Sequence, residues 1–161
     1  MSVVAVFLFG FVIFFGAPFL PTLRVRTDEI FELLALKPGQ KLLELGSGDG
    51  RILRAAAERG IHAVGYELNP ALVIYSHLRH WRYRSLITVH WQNYWRHPLP
   101  DTDGIYVFLL DRYMVKLDTK ITQEITKKVK VVSFAFAIPD KEPQKEKNGL
   151  LLYDYRPKRQ Q

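Results

Sequence analysis

The sequence predicts an α/β fold: a Rossmann-like parallel sheet, trimmed towards its C-terminal end and preceded by one N-terminal transmembrane helix. Three observations carry this expectation. Short apolar runs of strand length alternate with segments of helical period between residues 27 and 155. The first strand runs into a glycine turn, Glu44-Leu45-Gly46-Ser47-Gly48-Asp49-Gly50, and Glu67 closes the second. Residues 3–20 carry no charge. A chain of 161 residues suits one domain and not two. The reading is residues 1–22 as membrane anchor and linker, 23–156 as the domain and 157–161 as a basic tail.

As a helix, residues 3–20 would rise about 27 Å, close to the ~30 Å of a bilayer core. No Lys or Arg precedes the run and no small-x-small cleavage site follows it, which argues against a removed signal peptide. Phe7, Phe9, Phe11, Phe14, Phe15 and Phe19 spread around the helix, which favours lipid over a half-buried surface. A helix buried in the domain or in a dimer is the alternative. Arg24 and Arg26 follow directly, so the positive-inside rule puts the domain on the cytoplasmic or matrix-equivalent side of a single-pass membrane protein. The net charge of +7 suits nucleic acid, anionic headgroups or an acidic protein and does not choose among them. Without cysteine there are no disulfides, thiolate zinc sites or cysteine nucleophiles.

After the anchor, Pro18 and Pro21 suggest an extended linker. Thr27 reads as the N-cap of a helix whose apolar face is Ile30, Phe31, Leu33, Leu34 and Leu36, ending at Pro38-Gly39. Residues 41–45 form the first strand. A helix over 51–59 turns Ile52, Leu53 and Ala55 to Ala57 inward and closes on Gly60. The second strand is 61–66. Pro70 opens a helix running towards Arg82. Strands at 86–91 and 105–110 follow, the latter a continuous apolar run suited to a sheet covered on both faces. A helix over 112–127, a fifth strand over 130–138 and a charged loop over 140–148 complete the order. Residues 150–155 form a sixth, antiparallel strand at the edge. The tail reads as disordered.

Glycines after a first strand let the backbone approach a ligand and turn into a helix. A dinucleotide fingerprint would need a third glycine where Arg51 stands, and Asp49 at the helix start would repel a pyrophosphate. The pattern therefore points to a phosphate-free nucleoside, S-adenosyl-L-methionine. In that reading Gly46, Ser47, Gly48, Asp49 and Gly50 shape the cradle. Glu44 accepts from the methionine ammonium. Glu67 takes both ribose hydroxyls. Asn93 accepts from the adenine amino group, or is only a turn residue. Leu68 and Tyr94, with Tyr66 and Trp95, wall the adenine or belong to the core.

Pro18 to Thr22, the run LLELGSGDGRILRAAAERG at 42–60, and AVGYELNPALVIYS at 63–76 resemble the small single-pass membrane protein-lysine N-methyltransferases. Their mitochondrial members act on adenine nucleotide translocase and the ATP synthase c subunit, and many bacteria carry short relatives. The resemblance implies a class I methyltransferase sheet, S-adenosylmethionine as donor and a lysine side chain of a membrane-embedded or membrane-proximal protein as acceptor. Asn93 departs from a commonly acidic position. Leu110-Asp111-Arg112-Tyr113 matches no family motif, and the C-terminal strands look shortened.

Acceptor-binding groups belong after the fourth strand, by the switch-point rule. That singles out Asp111 and Tyr113 as catalytic candidates. Asp111 could orient the amine or take its proton, or could merely cap the next helix. His77, His80, Trp81, Arg82, Tyr83 and Arg84 form a basic aromatic cluster. It could grip RNA, lie against headgroups or be a solvated helix end, with nucleic acid the least favoured. The remaining histidines are too scattered for a metal site, and none is expected. The rival functions are methylation of a small molecule, lipid or RNA, or a non-catalytic cofactor-binding module that recruits a partner.

Overall fold

The computed structural model describes residues 24–157 of the chain. The expected anchor at residues 3–20 and most of the basic tail lie outside the described residues. Among the described residues no helix is long and apolar enough to cross a membrane.

Seven strands form one sheet in the order β3-β2-β1-β4-β5-β7-β6. They are β1 (Lys41–Leu45), β2 (His62–Glu67), β3 (Ile87–Trp91), β4 (Gly104–Val107), β5 (Val129–Phe134), β6 (Lys145–Lys147) and β7 (Leu150–Tyr155). The first five are parallel. β7 is antiparallel to β5 and to β6. The helices are α1 (Arg24–Leu34), α2 (Arg51–Ala57), α3 (Pro70–Arg79) and α4 (Met114–Glu124). Alternation along β1 sends Leu42 and Glu44 to one face and Leu43 and Leu45 to the other. On the first face Ile30, Leu34, Ile52, Leu53 and Val73 of α1, α2 and α3 pack on Leu42, Ala63 and Val89. On the second, Met114, Leu117 and Ile121 of α4 cover Leu43, Ile105 and Val131. Strand order reverses between β1 and β4, so the C-terminal end of β1 is the topological switch point.

The sheet departs from expectation at its far edge. It is not trimmed in strand number, because residues 145–147, expected as charged loop, form β6. Strand 150–155 is antiparallel as expected but internal, paired on both sides. Asn148 and Gly149 join the two with φ of 53° and 78°, the two left-handed residues of a type I′ hairpin. Lys-Glu-Lys suits an edge strand, whose charges discourage further pairing. The economy lies instead between β3 and β4, where the described chain makes only a 3₁₀ turn, Tyr94–Arg96.

Several boundaries also move. Thr27 lies inside α1 and is not its cap. The helix stops at Leu34, where Ala35 turns left-handed (φ 50°) with its N–H on the Phe31 carbonyl, rather than at Pro38-Gly39. Leu36 nevertheless packs on the core. β4 ends at Val107, opposite Ser133 of β5, and not at Leu110. Asp111 sits in a 3₁₀ turn, Asp111–Tyr113, and caps no helix. β5 stops at Phe134 because Ala135 takes a φ of 69°.

Gly65 lets β2 lie against the glycine turn. A Cβ there would stand 2.7 Å from Leu53 Cδ1 and 2.7 Å from Ser47 Oγ. Gly65→Ala is therefore expected to cost about 1–3 kcal/mol, as overpacking does. Urea unfolding should show a lower midpoint with an unchanged slope; an unchanged midpoint would mean that the turn yields freely.

Candidate active site

The site begins with three left-handed glycines. Gly46, Gly48 and Gly50 have φ of 86°, 54° and 74°. The Gly46 and Ser47 N–H groups donate to the Tyr66 carbonyl at 2.9 and 3.0 Å, and Gly50 N–H closes the turn on the Ser47 carbonyl at 2.8 Å. Gly50 then serves as N-cap of α2. A Cβ on Gly50 would meet Ser76 Oγ at 2.3 Å and His80 Cε1 at 2.9 Å, whereas nothing lies within 4 Å of the Cβ position of Gly46. The turn is thus closed on the α3 side and open at Gly46.

One carboxylate ties the two strand ends together. Glu67 Oε2 accepts from Gly48 N–H, and Oε1 accepts from Leu68 and Asn69 N–H, all at 2.8 Å. A carboxylate offers about four acceptor sites. The expectation that both oxygens are free for a sugar diol is therefore only partly met: three sites already hold amides. Leu68 is half-buried, and its carbonyl accepts from Trp91 Nε1 at 3.0 Å.

Glu44 lies beneath the turn, buried, with Oε2 lacking any partner. Burial first, then the charges of Asp49 and Glu67, push its carboxyl well above the usual range, against the smaller opposing pulls of Arg51 and the Leu53 N–H. Ser47 Oγ is likewise buried and without a partner. Burial also works to raise Asp49, but Arg51 outweighs it and the carboxyl falls below its ordinary value. Asp49 accepts from Arg51 Nε at 3.0 Å, from a terminal Arg51 nitrogen at 2.8 Å and from Arg79 at 3.2 Å. Its charge is paired, so its expected repulsion of a pyrophosphate is weaker than the sequence implies.

Beyond β3, Asn93 Oδ1 accepts from Trp95 N–H at 3.0 Å, so Asn93 is the cap of the 3₁₀ turn, with one lone pair to spare. Tyr94 is buried, and burial raises its phenol, helped by Tyr113 and Glu67. Its ring lies 4.7 Å from that of Trp95, which lies 6.1 Å from that of Tyr113. Lys116 Nζ stands 4.6 Å over Trp95, and the Arg112 guanidinium 4.9 Å over Tyr113. The loops after β3 and β4 are thus joined by an aromatic ladder that reaches the Glu67 field through Tyr94. Asp111 is exposed on the rim.

The basic aromatic cluster does not act as one body. His80 is buried behind Gly50, its Nδ1 3.3 Å from Ser76 Oγ, and burial with Arg79 and Arg54 nearby holds it below its usual value. Tyr83 packs on the core, while His77, Trp81, Arg82 and Arg84 stay exposed. Sequence reasoning missed the roles of Ser76, His80, Arg79 and Gly65. Only Gly65 carried a signal, a glycine inside an apolar strand. Among the described residues no cluster of three or more His, Asp or Glu could hold a metal.

Residues 44–145 match the family model described as the ANTKMT methyltransferase domain. The chain belongs to this family. Its relatives include the Homo sapiens lysine N-methyltransferase of the ATP synthase c subunit, 33% identical over 124 residues, covering 76% of this chain and 53% of that protein. The Mus musculus adenine nucleotide translocase lysine N-methyltransferase is 36% identical over 129 residues, 78% of this chain and 56% of that one. The chain spans about half the length of the curated relatives it matches. Among solved structures, an RNA methyltransferase from Salinibacter ruber in complex with S-adenosyl-L-homocysteine superposes with a TM-score of 0.78 at 25% identity, covering 88% of this chain and 95% of that one. S-adenosyl-L-methionine is the cofactor of the domain. The residues present fit it: a buried, unpartnered carboxylate oxygen answers a cationic amino-acid group, and the open side of Gly46 leaves room beside it.

The buried Glu44 sets a pH dependence. Because its folded carboxyl lies above 4.5, the native state holds this proton more tightly than the unfolded chain. Its stabilising contribution is full below that value and is lost as pH rises through the raised one. Glu44→Gln should therefore melt close to wild type in acid and increasingly above it towards pH 8. A gap of about 4 °C would correspond to about 1 kcal/mol. Melting of cofactor-free protein at stepped pH checks this; a gap that does not widen with pH would refute it.

Proposed function

We propose that the chain is a membrane-anchored protein-lysine N-methyltransferase acting on a membrane-embedded or membrane-proximal protein. The observation that carries the catalytic reading is the unpartnered, buried Glu44 carboxylate beneath the glycine turn of a methyltransferase domain. Leaving such a group unsatisfied costs stability, and a cationic ligand relieves it. The lysine acceptor rests on the names of the relatives and on the ladder of Tyr94, Trp95 and Tyr113 beside the switch point.

The division of labour follows from position. Glu44 accepts from the ligand's ammonium. Gly46, Ser47, Gly48, Asp49 and Gly50 hold the backbone in a cradle, with Asp49 acting through its arginines. Glu67, set by three amides, takes a ribose hydroxyl. Gripping the second hydroxyl requires release of the Gly48 N–H. Leu68 and Tyr94 flank the adenine, and the spare lone pair of Asn93 meets its amino group. When bound, S-adenosylmethionine supplies an electrophilic methyl group. The chain's task is to align a lysine amine with it, for which positioning alone is worth ~7–11 kcal/mol. Trp95 and Tyr113 offer aromatic faces of the kind that already hold Lys116 and Arg112, and such faces attract an ammonium. Asp111, on the rim, receives its proton or orients the amine. Residues 3–20 anchor the domain and raise the local concentration of a membrane substrate.

Glu67→Ala is expected to weaken cofactor binding by about an order of magnitude or more, one lost charge-assisted hydrogen bond being worth roughly 1.5–3 kcal/mol. Calorimetry with unchanged affinity would remove Glu67 from the site. Deleting residues 1–20 should retain cofactor binding and abolish flotation with neutral phosphatidylcholine vesicles. The function itself is tested by incubating the protein with methyl-labelled S-adenosylmethionine and host membranes. Label in a protein lysine, reduced in Asp111→Asn and Tyr113→Phe, supports the reading. Label in lipid or RNA would replace it, and cofactor binding without transfer would leave a recruitment module.

A further inference from the structure

The outward face of α3 has no role in the cofactor site and is unusually apolar. Ile74, Leu78 and Trp81 recur at intervals of four and three residues and are 61%, 72% and 58% exposed. Such a stripe ordinarily marks the face a helix buries. α3 and the turn after it bury Val73, Ser76 and His80 instead, so the stripe points away from the core. Tyr75 extends it, its hydroxyl accepting from Arg79 at 3.1 Å.

The exposed charge next to the stripe along the chain is basic, with Arg79 paired to Asp49 from the glycine turn. Between Glu67 and Asp101 the sequence contains no acidic residue and four arginines, Arg79, Arg82, Arg84 and Arg96. The Arg82 guanidinium lies 5.9 Å over Trp81, and His77, Arg82 and Arg84 are exposed beside the stripe. Nucleic acid would use the arginines and Trp81 but gains little from Ile74 and Leu78, which offer bases no stacking face. A second copy would bring like charges together across a two-fold axis. Exposed aliphatic side chains and a Tyr on α3, with an exposed Trp and two exposed arginines in the turn that follows, together fit the headgroup layer of an anionic bilayer. α3 also shares a layer with α1, where the chain enters from residues 1–23.

We infer that Ile74 and Leu78 of α3, with Trp81 of the 3₁₀ turn that follows it, dock on anionic lipid, giving the domain a membrane contact separate from the proposed anchor and independent of the methyl acceptor. This contact holds the α3 side of the domain against the bilayer surface.

The chain has no cysteine, so Leu78→Cys accepts a single environment-sensitive fluorophore. Val115→Cys, 61% exposed on α4 across the sheet, is the control. The full chain is mixed with phosphatidylcholine vesicles or with equimolar phosphatidylcholine and phosphatidylglycerol. Emission at 78 should rise about two-fold or more and shift to the blue with anionic vesicles, as for an amphipathic face entering the interface. It should be quenched by a headgroup-depth lipid quencher and change little with neutral ones, while the label at 115 stays in water. Arg82→Glu with Arg84→Glu should abolish the response. Calorimetry confirms that cofactor binding survives labelling. A label at 78 that stays in water on anionic vesicles, responds equally to neutral ones, or responds to single-stranded RNA alone would overturn the inference. Flotation with neutral vesicles separates its failure from that of the anchor.

Discussion

Where the turn between β1 and α2 lies against β2, the packing admits no side chain at two points, Gly50 in the turn and Gly65 in β2. This steric limit holds the site in shape. Ser76 and His80 press on Gly50 from α3, while Ser47 and Leu53 press on Gly65 from the turn and α2. Because strand, turn and two helices meet there without slack, Gly48 N–H arrives within hydrogen-bonding distance of Glu67, and Glu44 is buried beneath the turn. Close packing transmits position with little loss. The donor side of the site is therefore as rigid as the core that supports it.

That rigidity carries an electrostatic cost. Glu44, Asp49 and Glu67 converge on one turn; Asp49 is salt-bridged to Arg51 and Arg79, while Arg51 acts on Glu44 only as a weaker opposing charge. Glu67 is stabilised by backbone amides, and Glu44 has the Leu53 N–H and one oxygen without a partner. Sites that bind cations commonly sacrifice folding free energy in this way, and the stabilising contacts lie elsewhere. Here they include the apolar layers on both faces of the sheet and the Lys120 ammonium, which donates to the His97 carbonyl and to Glu124.

The parts of the molecule that could be read from the sequence are those where one local rule acts alone. β1, β2, β3 and the start of α3 follow from apolar runs and from Pro70, and the turn with Glu44 and Glu67 follows from spacing. Misreadings arose where tertiary contacts overrode a local signal. Thr27 looks like a cap but is taken up in a helix that begins earlier. Asp111 looks like another, yet the chain after β4 makes a 3₁₀ turn first. Lys145 to Lys147 read as loop because they are charged, although the Asn148-Gly149 pair after them is a strong hairpin signal. The burial of His80 had no local trace at all: its neighbours are exposed, and only the fold brings Gly50 over it.

The crossover from β3 to β4 holds a further implication. It contains a single 3₁₀ turn, and two hydrogen bonds from α4 pin it, Lys120 to the His97 carbonyl and Glu124 from the Leu99 N–H. The aromatic ladder hangs from this short strap, whereas the glycine turn is embedded among packed helices. The molecule is thus modular on the scale of a few residues. Lineages could lengthen or redecorate the strap without disturbing the packing that shapes the glycine turn.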